Sequence, residues 1–475
     1  MVLSCPAACA QSAAAPAAQR AVSVQGSIRS RLEAWKWFEG TDGDPSYAFL
    51  GTLARLSFSR ERPGLDWQLE FAAPLLLGLP NDAVAPGAQA QLGLGAAYYV
   101  SNDRSRNTGL LFLKQAFVRF KNLGGKAHSL RLGRFEFIDG SEVIPKNATL
   151  AAVKRDRIFQ RLIGAFGWSH VGRSFDGFHY ALNRPSGNVT VVGAFPTRGV
   201  FQVDGWGSLH TALLYAAATK PVASGRNNGE LRLLGIYYHD WRHVLKTDNR
   251  PLAARRGDLA NIRIGSFGGH YIHAVETAAG PLDFLLWGNL QTGRWGRLDH
   301  RAGAVAIEAG WQPLALPKLR PWLRGGFFHS SGDDDPLDST HGAFFQILPT
   351  PRPYARFPFY NLMNNEDAFL SLTVRPHKNV TLSGEVRSLR LSSGNDLWYL
   401  GGGAFQPWTF GYVGRPSGGG RGLASLYDVS ADLRVNAHLG LNGYFGYANG
   451  KSVVSGIYRR DKNARFGYLE LLYRF

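Results

Sequence analysis

Apolar and polar residues alternate with a period of two along most of the chain. Near the N-terminus, Val24, Ile28 and Leu32 alternate with charged residues such as Arg29 and Glu33. Successive side chains of a β-strand point to opposite faces, so each such segment has one apolar and one polar face. Because the alternation persists to the C-terminus and has no helical period, it predicts an all-β chain.

About eighteen alternating segments follow one another, and an even number suits a closed antiparallel barrel. They lie near residues 22–38, 47–60, 64–73, 111–121, 127–137, 172–182, 187–196, 208–218, 230–240, 259–275, 281–292, 300–312, 318–329, 366–375, 379–391, 424–435, 438–449 and 465–475. Short links include 122–126, 313–317 and 376–379, whereas long connections lie around 74–110, 138–171, 241–258, 330–365, 392–423 and 450–464. The sequence therefore predicts a single transmembrane antiparallel β-barrel of a Gram-negative outer membrane, with short periplasmic turns and long extracellular loops.

A soluble β-sandwich or propeller is the alternative, since its strands also carry one apolar face. No blade-length repeat is present. Aromatic residues at segment ends, interpreted as an interfacial girdle on the apolar face, favour the membrane barrel. The apolar stretch 71–80 contains two prolines and is too short to span a bilayer as a helix. The girdle residues are Trp35, Trp37, Phe38, Tyr237 and Trp241.

Residues 1–20 are expected to be a signal peptide or disordered leader, and residues 21–475 the barrel. Both cysteines, Cys5 and Cys9, lie in this leader, and small residues around Cys9 and at 15–18 fit a cleavage site. A lipobox ending at Cys5 is an alternative. The leader has a short apolar stretch and no basic start, which indicates that residues are missing upstream. A cysteine-free mature chain suits the oxidising periplasm.

The last segment ends on an aromatic residue. Leu469, Leu471, Tyr473 and Phe475 alternate with polar or charged neighbours such as Glu470. This strand resembles the signal that the outer-membrane insertion machinery recognises, so that machinery is an expected partner through Phe475. A soluble edge strand that ends on phenylalanine is the alternative.

The formal net charge of +18 makes nucleic acid the first partner to consider. Single arginines are instead spread along strand-like segments, so we expect no nucleic-acid binding. A barrel of this size encloses a water-filled channel lined by the polar strand faces. By alternation, the arginines on that face are Arg29, Arg31, Arg55, Arg119, Arg131, Arg263, Arg320, Arg324, Arg387 and Arg434.

These arginines favour the passage of anions, because guanidinium groups stay charged and pair with carboxylates or phosphates. Acidic residues share the same face, so ion pairs that only stiffen the wall are an equal alternative for each arginine. The acidic residues are Glu33, Glu70, Glu385, Asp432 and Glu470.

Two loops are rich in charged residues. The connection 138–171 is rich in both signs and would constrict the channel if it folded inward, although a solvated extracellular loop fits equally well. Aspartates in the loop around residues 332–338 offer weak Ca²⁺ ligands, but their spacing fits no known calcium loop, so a solvated loop is favoured. They are Asp333, Asp334, Asp335 and Asp338.

Enzymatic motifs are weak. Residues 167–172 resemble a nucleophile elbow but have one residue too many before the closing glycine and lack a strand-to-helix context. No zinc-protease motif or dinucleotide fingerprint is present. We therefore expect no enzyme and no cofactor.

Several stretches resemble the alginate export family of outer-membrane porins, namely 112–120, 130–135, 157–163, 172–178 and the acidic loop 332–350. The resemblance implies an eighteen-strand barrel, monomeric and passive, that passes an acidic polysaccharide such as alginate. Uptake of small anions or organic acids is the alternative. The loop 351–361 departs from the family pattern, so the resemblance does not imply that this loop forms a lid. Implied pore residues are Arg119, Arg131, Arg134, Arg157, Arg161, Arg173 and Asp176.

Overall fold

The computed structural model describes residues 21–224 and 227–475, so the expected leader lies outside the described residues. In the described part, eighteen antiparallel strands form the barrel wall. They are β1 Ser23–Lys36, β2 Ser46–Glu61, β3 Leu65–Leu77, β4 Phe112–Lys121, β5 His128–Phe135, β6 Phe175–Arg184, β7 Gly187–Pro196, β8 Thr211–Ser224, β9 Asn227–Asp240, β10 Ile262–Val275, β11 Leu282–Trp295, β12 Leu298–Trp311, β13 Trp322–Ser330, β14 Glu366–His377, β15 Val380–Arg390, β16 Gly422–Arg434, β17 Leu439–Gly450 and β18 Asn463–Arg474. Each predicted segment overlaps one of these strands, which confirms the predicted fold.

The barrel closes because β18 pairs with β1 in antiparallel register, with Leu469 opposite Leu32. Beyond the last strand residue, the Gly26 and Phe475 backbones exchange two hydrogen bonds of 2.9 and 3.0 Å. Closure pairs the backbone groups that an open edge would leave unsatisfied in hydrocarbon.

The outer face of the wall is apolar. Leu233, Phe267, Leu290 and Leu469 are each more than 60% exposed, and they alternate with buried inward residues. No helix among the described residues is long and apolar enough to cross a membrane. The alternation therefore produces a lipid-facing surface on the outside, as the sequence predicts.

The two ends of the barrel differ. At one end, the short-turn rim, links such as 62–64 and 378–379 join neighbouring strands. At the other, the long-loop rim, most connections are long, and they contain the described helices α1 Leu94–Ser101, α2 Ala148–Arg157, α3 Leu252–Arg256 and α4 Ser452–Ile457. A tight turn between β11 and β12 is an exception at the long-loop rim. Its Gly296 has φ +66° and lies against the Asp258 carboxylate, where a Cβ would clash.

Three long loops fold into the lumen and pack on one another, and we call residues 136–174, 331–365 and 391–421 the loop plug. The backbone of Leu348 accepts a hydrogen bond from Gly164 and donates one to Leu162. The Tyr412 hydroxyl donates to the Ile347 carbonyl at 3.1 Å. The main hydrophobic core thus lies inside the barrel, toward the long-loop rim.

The prediction of a girdle is wrong for Trp35, Trp37 and Phe38. All three are buried in the core between the wall and the plug, where Trp35 stacks on Phe466 with ring centroids 4.0 Å apart. Trp35 shares the inward parity of Glu33, so alternation places it in the lumen. Tyr237, by contrast, is exposed on the outer face.

Candidate pore constriction

Helix α2 brings the charged part of the plug against the inner wall. Its N-terminus is capped by Asn147, whose side chain accepts a hydrogen bond from the Leu150 backbone at 3.0 Å. Lys154 and Arg157 lie in its last turn, where cations interact favourably with the helix dipole. Lys154 forms a 2.6 Å ion pair with Glu230 of β9. The loop 138–171 therefore folds inward, as one of the two alternatives held.

Glu308 of β12 is the anchor for the end of α2. Arg157 binds both of its carboxylate oxygens, at 2.8 and 2.9 Å, and Arg324 donates to one of them at 3.0 Å. Arg161 lies 3.7 Å from the same carboxylate, with its guanidinium 4.4 Å from the centre of the Tyr354 ring. One buried carboxylate thus orders three arginines that are distant in sequence.

Most other inward arginines also have carboxylate partners. Arg387 pairs with Asp367 and Glu385, and Arg324 additionally contacts Asp283. The same is true of Arg29 and Arg31 with Glu470, Arg55 with Glu70 and Glu136, and Arg119 with Asp66.

Two inward arginines have other partners. Arg131 contacts the His179 ring nitrogen at 2.8 Å and lies over the rings of Phe117 and Phe135. Arg173 donates to the Gly402 carbonyl inside the plug, and two of its nitrogens have no hydrogen-bond partner among the described residues. Burial lowers the pKa of Arg173 to about 10. Both arginines pack as parts of the wall and plug.

Four of the predicted pore residues do not lie in the lumen, namely Arg134, Asp176, Arg263 and Arg320. Arg134 and Asp176 form an ion pair of 2.7 Å on the outer face. Arg131 points inward and lies three positions before Arg134 in β5, so alternation directs the Arg134 side chain outward. Arg263 is exposed on the outer face, next to the inward Ile262 and Ile264.

Arg320 is exposed in the link before β13, because that strand begins only at Trp322. Arg434 keeps inward parity but is exposed at the short-turn rim, where β16 ends.

The acidic loop does not gather into a metal site. Asp335 and Asp338 accept hydrogen bonds from backbone groups two residues further on, and the Asp333 backbone donates to Asp396 at 3.0 Å. Among the described residues, no three His, Cys, Asp or Glu side chains converge as metal ligands. The aspartates therefore shape their own loop, and the calcium hypothesis finds no support in this geometry.

A cavity opens between the plug and the short-turn rim, and we call it the lower cavity. Its basic lining comprises Arg157, Arg324, Arg356 and Arg375. Hydroxyl and aromatic groups complete the wall, together with the acidic Asp156, Glu385 and Asp428. The hydroxyl and aromatic residues are Ser371, Thr373, Ser383, Ser430, Trp322, Tyr354 and Tyr444.

Arg356 and Arg375 are not among the pore residues predicted from the sequence. Alternation in β14 could have identified Arg375, since Leu370 and Leu372 face outward while Ser371 and Thr373 line the cavity. Arg356 lies in the irregular loop 351–361, where no period assigns a direction. Its guanidinium contacts the Tyr468 hydroxyl of the wall at 3.3 Å.

The chain matches one protein family by sequence and several solved structures by fold. The alginate export family profile matches residues 81–451, more than half of the chain. OpdK from Pseudomonas aeruginosa is 10% identical, with a TM-score of 0.55 over 95% of this chain and 99% of that one. OccK9 (OpdG) from the same organism is 10% identical, with a TM-score of 0.57 over 96% and 98%. Acinetobacter baumannii OccAB2 is 9% identical, with a TM-score of 0.57 over 96% and 98%. No curated protein sequence matches the chain.

The closed barrel and these structural neighbours define the fold, a β-barrel of the porin type, and the family match places the protein in the outer membrane of a Gram-negative bacterium. The chain belongs to the alginate export family. Proteins of this fold and family are transport porins rather than enzymes.

Proposed function

We propose that the barrel is a passive, anion-selective channel and that its solute is an acidic polysaccharide such as alginate. The lower cavity carries this proposal. Arg375 forms no ion pair with any described residue, and Arg356 approaches Asp432 only to 4.0 Å. These two guanidinium groups keep part of their field available to a solute, because neither forms an ion pair shorter than 4.0 Å with a described carboxylate.

The other lining groups suit a uronate polymer. Each unit of such a polymer carries one carboxylate, several hydroxyl groups and less polar ring faces. Arginine pairs with the carboxylate, serine and threonine hydroxyls exchange hydrogen bonds with the sugar hydroxyls, and aromatic residues such as Tyr444 offer flat apolar surface. Membership of the alginate export family supports the same solute class.

Uptake of small anions or organic acids is the second candidate, and the density of the plug favours it. Leu162, Ile163, Ile347 and Leu348 are fully buried where the loops pair, so a polymer requires the plug to move whereas a small solute requires much less. One solved structure of similar fold, with 11% identity, is OpdK with vanillate, an aromatic carboxylate.

Planar-bilayer conductance separates the candidates. We expect the reversal potential in a KCl gradient to show chloride preference, and we expect alginate oligomers to block the current more strongly than neutral oligomers of equal length. Arg356→Gln/Arg375→Gln should reduce the preference and the block several-fold. Arg263→Gln, which removes an exposed arginine on the outer face, is the matched control. Cation preference would refute the channel proposal, and block by vanillate but not by alginate would favour small-anion uptake.

We further propose that the protein works as a monomer and that the insertion machinery recognises its last strand through Phe475. The aromatic ring is exposed on the outer face, over Gly26 of β1. Phe475→Ala should slow assembly into the heat-modifiable folded form, whereas Leu472→Ala, on the opposite face of β18, should not. Equal assembly of both variants contradicts the proposed role.

A further inference from the structure

A group of arginines lies on the outer face of the wall at the long-loop rim. Arg263 of β10 stands directly opposite Arg294 of β11, and both side chains are exposed. Arg297 in the adjoining turn and Arg301 of β12 are exposed beside them. We call Arg263, Arg294, Arg297 and Arg301 the outer arginine patch.

The barrel neutralises little of this charge. Arg294 forms a 2.7 Å ion pair with Asp299, and no other carboxylate among the described residues pairs with any of the four arginines. Like charges directly opposite on neighbouring strands are destabilising. Elsewhere on the outer face, Arg134 is matched by Asp176. Three of the four arginines of the outer arginine patch therefore lack the internal counter-charge found at the other site.

The position of the patch indicates what supplies the missing charge. One step nearer the barrel centre, Tyr237 of β9 is exposed opposite Gly265, and Phe267 and Leu290 follow as an exposed apolar pair. Exposed tyrosine above an apolar band marks the membrane interface. The patch thus lies just above the hydrocarbon, at the level of lipid head groups, and at the rim that outer-membrane barrels direct to the outside.

We propose that the outer arginine patch binds the phosphate groups of lipid A, the anchor of lipopolysaccharide in the outer leaflet. Lipid A carries phosphates at head-group depth and acyl chains below them. Guanidinium groups pair bidentately with phosphate, and basic pockets at membrane surfaces bind anionic head groups. A phosphate between Arg263 and Arg294 converts their repulsion into two attractions, while Phe267 and Leu290 contact the acyl chains.

The test compares lipid binding by purified, folded protein in mild detergent, measured by native mass spectrometry. The probes are bisphosphorylated lipid A, lipid A with both phosphates removed, and phosphatidylglycerol. We expect the wild-type protein to bind bisphosphorylated lipid A at least ten-fold more tightly than either other lipid. Arg263→Gln/Arg294→Gln should lose at least ten-fold of this affinity, and Arg320→Gln, at the short-turn rim, should lose none.

Heat-modifiable migration confirms that each variant is folded, and Arg301→Gln alone provides a milder variant with a smaller loss. Equal binding of the dephosphorylated lipid overturns the proposal, because apolar contact would then explain the affinity. Equal binding of phosphatidylglycerol overturns it as well, since any anionic lipid would suffice. Unchanged affinity in the folded double variant also overturns it. Channel conductance is a separate measurement, so this proposal fails or holds independently of the solute.

Discussion

The inward-facing arginines at the contact between plug and wall and those of the lower cavity have different partners. Where the loop plug packs against the wall, Arg232 pairs with Glu142 and Arg157 pairs with Glu308, and all four side chains are buried. In the lower cavity, Arg375 forms no ion pair with any described residue, and Arg356 approaches Asp432 only to 4.0 Å.

This difference shows that the distance to a carboxylate partner determines what an inward-facing arginine can do. Removing an ion pair from water costs free energy, and the attraction between the two charges only offsets this cost. The buried pairs therefore hold the plug in position, and little of their electric field is available to a solute. An arginine at the cavity keeps a field that anions experience. We therefore propose that the plug is a structural layer and that the lower cavity is the selective one, and the following predictions test this distinction.

The largest expected effect comes from Glu308→Gln. Loss of this carboxylate leaves Arg157 and its neighbours as buried charges without their partner, which destabilises a protein by about 3–5 kcal/mol. Urea unfolding followed by heat-modifiable migration measures the loss, and bilayer recordings should show larger current fluctuations as the plug loosens. Asp176→Asn, which breaks a pair on the outer face, is the control. Equal effects of the two variants would contradict a plug held by buried pairs.

A smaller effect is expected from Gly51→Ala. A Cβ at Gly51 would lie 2.3 Å from the His170 ring, so the wall and the plug cannot both keep their positions. Overpacking of this kind costs about 1–3 kcal/mol. Unfolding free energy and single-channel conductance should both change. In Gly440→Ala the nearest atom is 3.9 Å away, so this control should behave like wild type. An unchanged Gly51→Ala protein would indicate that the plug is not seated against this strand.

The plug should also respond to pH through Asp139. Burial raises the pKa of Asp139 to about 7, and its Oδ2 has no hydrogen-bond partner among the described residues. Because the folded pKa lies above the unfolded value, the stabilisation is complete below about pH 4 and disappears as pH rises through the folded pKa.

Between pH 5.5 and 8, unfolding free energy should therefore fall by about 2 kcal/mol more in wild type than in Asp139→Asn. Burial lowers the pKa of His170 to about 4, which acts in the opposite direction. The comparison of the two proteins at each pH removes that contribution, because both contain His170. Parallel pH profiles would exclude a buried, protonated Asp139.

The smallest effect is expected from Asp299→Asn on the outer face. Its ion pair with Arg294 is half exposed on both sides, and exposed pairs contribute about 0–1 kcal/mol. Urea unfolding should show a change within that range. A loss as large as that of Glu308→Gln would remove the distinction between buried and exposed pairs.

Much of the architecture follows from the sequence alone. The alternation around Arg29 and Arg31 predicts both the strand and the inward side, since side-chain direction in a strand depends only on neighbouring residues. Each of the eighteen strands was predicted in this way. Where alternation was not applied, as for Trp35 and Arg134, the assigned side was wrong; it was also wrong for Arg263, which alternation was used to place in the lumen.

The packing of the loops and the pairing of charges that are distant in sequence depend on the tertiary structure. Arg157 and Glu308 are 151 residues apart, and no local pattern relates them. The same holds for Arg356, in a loop without a period, and for Arg263 opposite Arg294, where the strand register creates the outer arginine patch. Local alternation fixes the direction of a side chain, but its partner depends on closure of the barrel and on long-range packing of the loops within it.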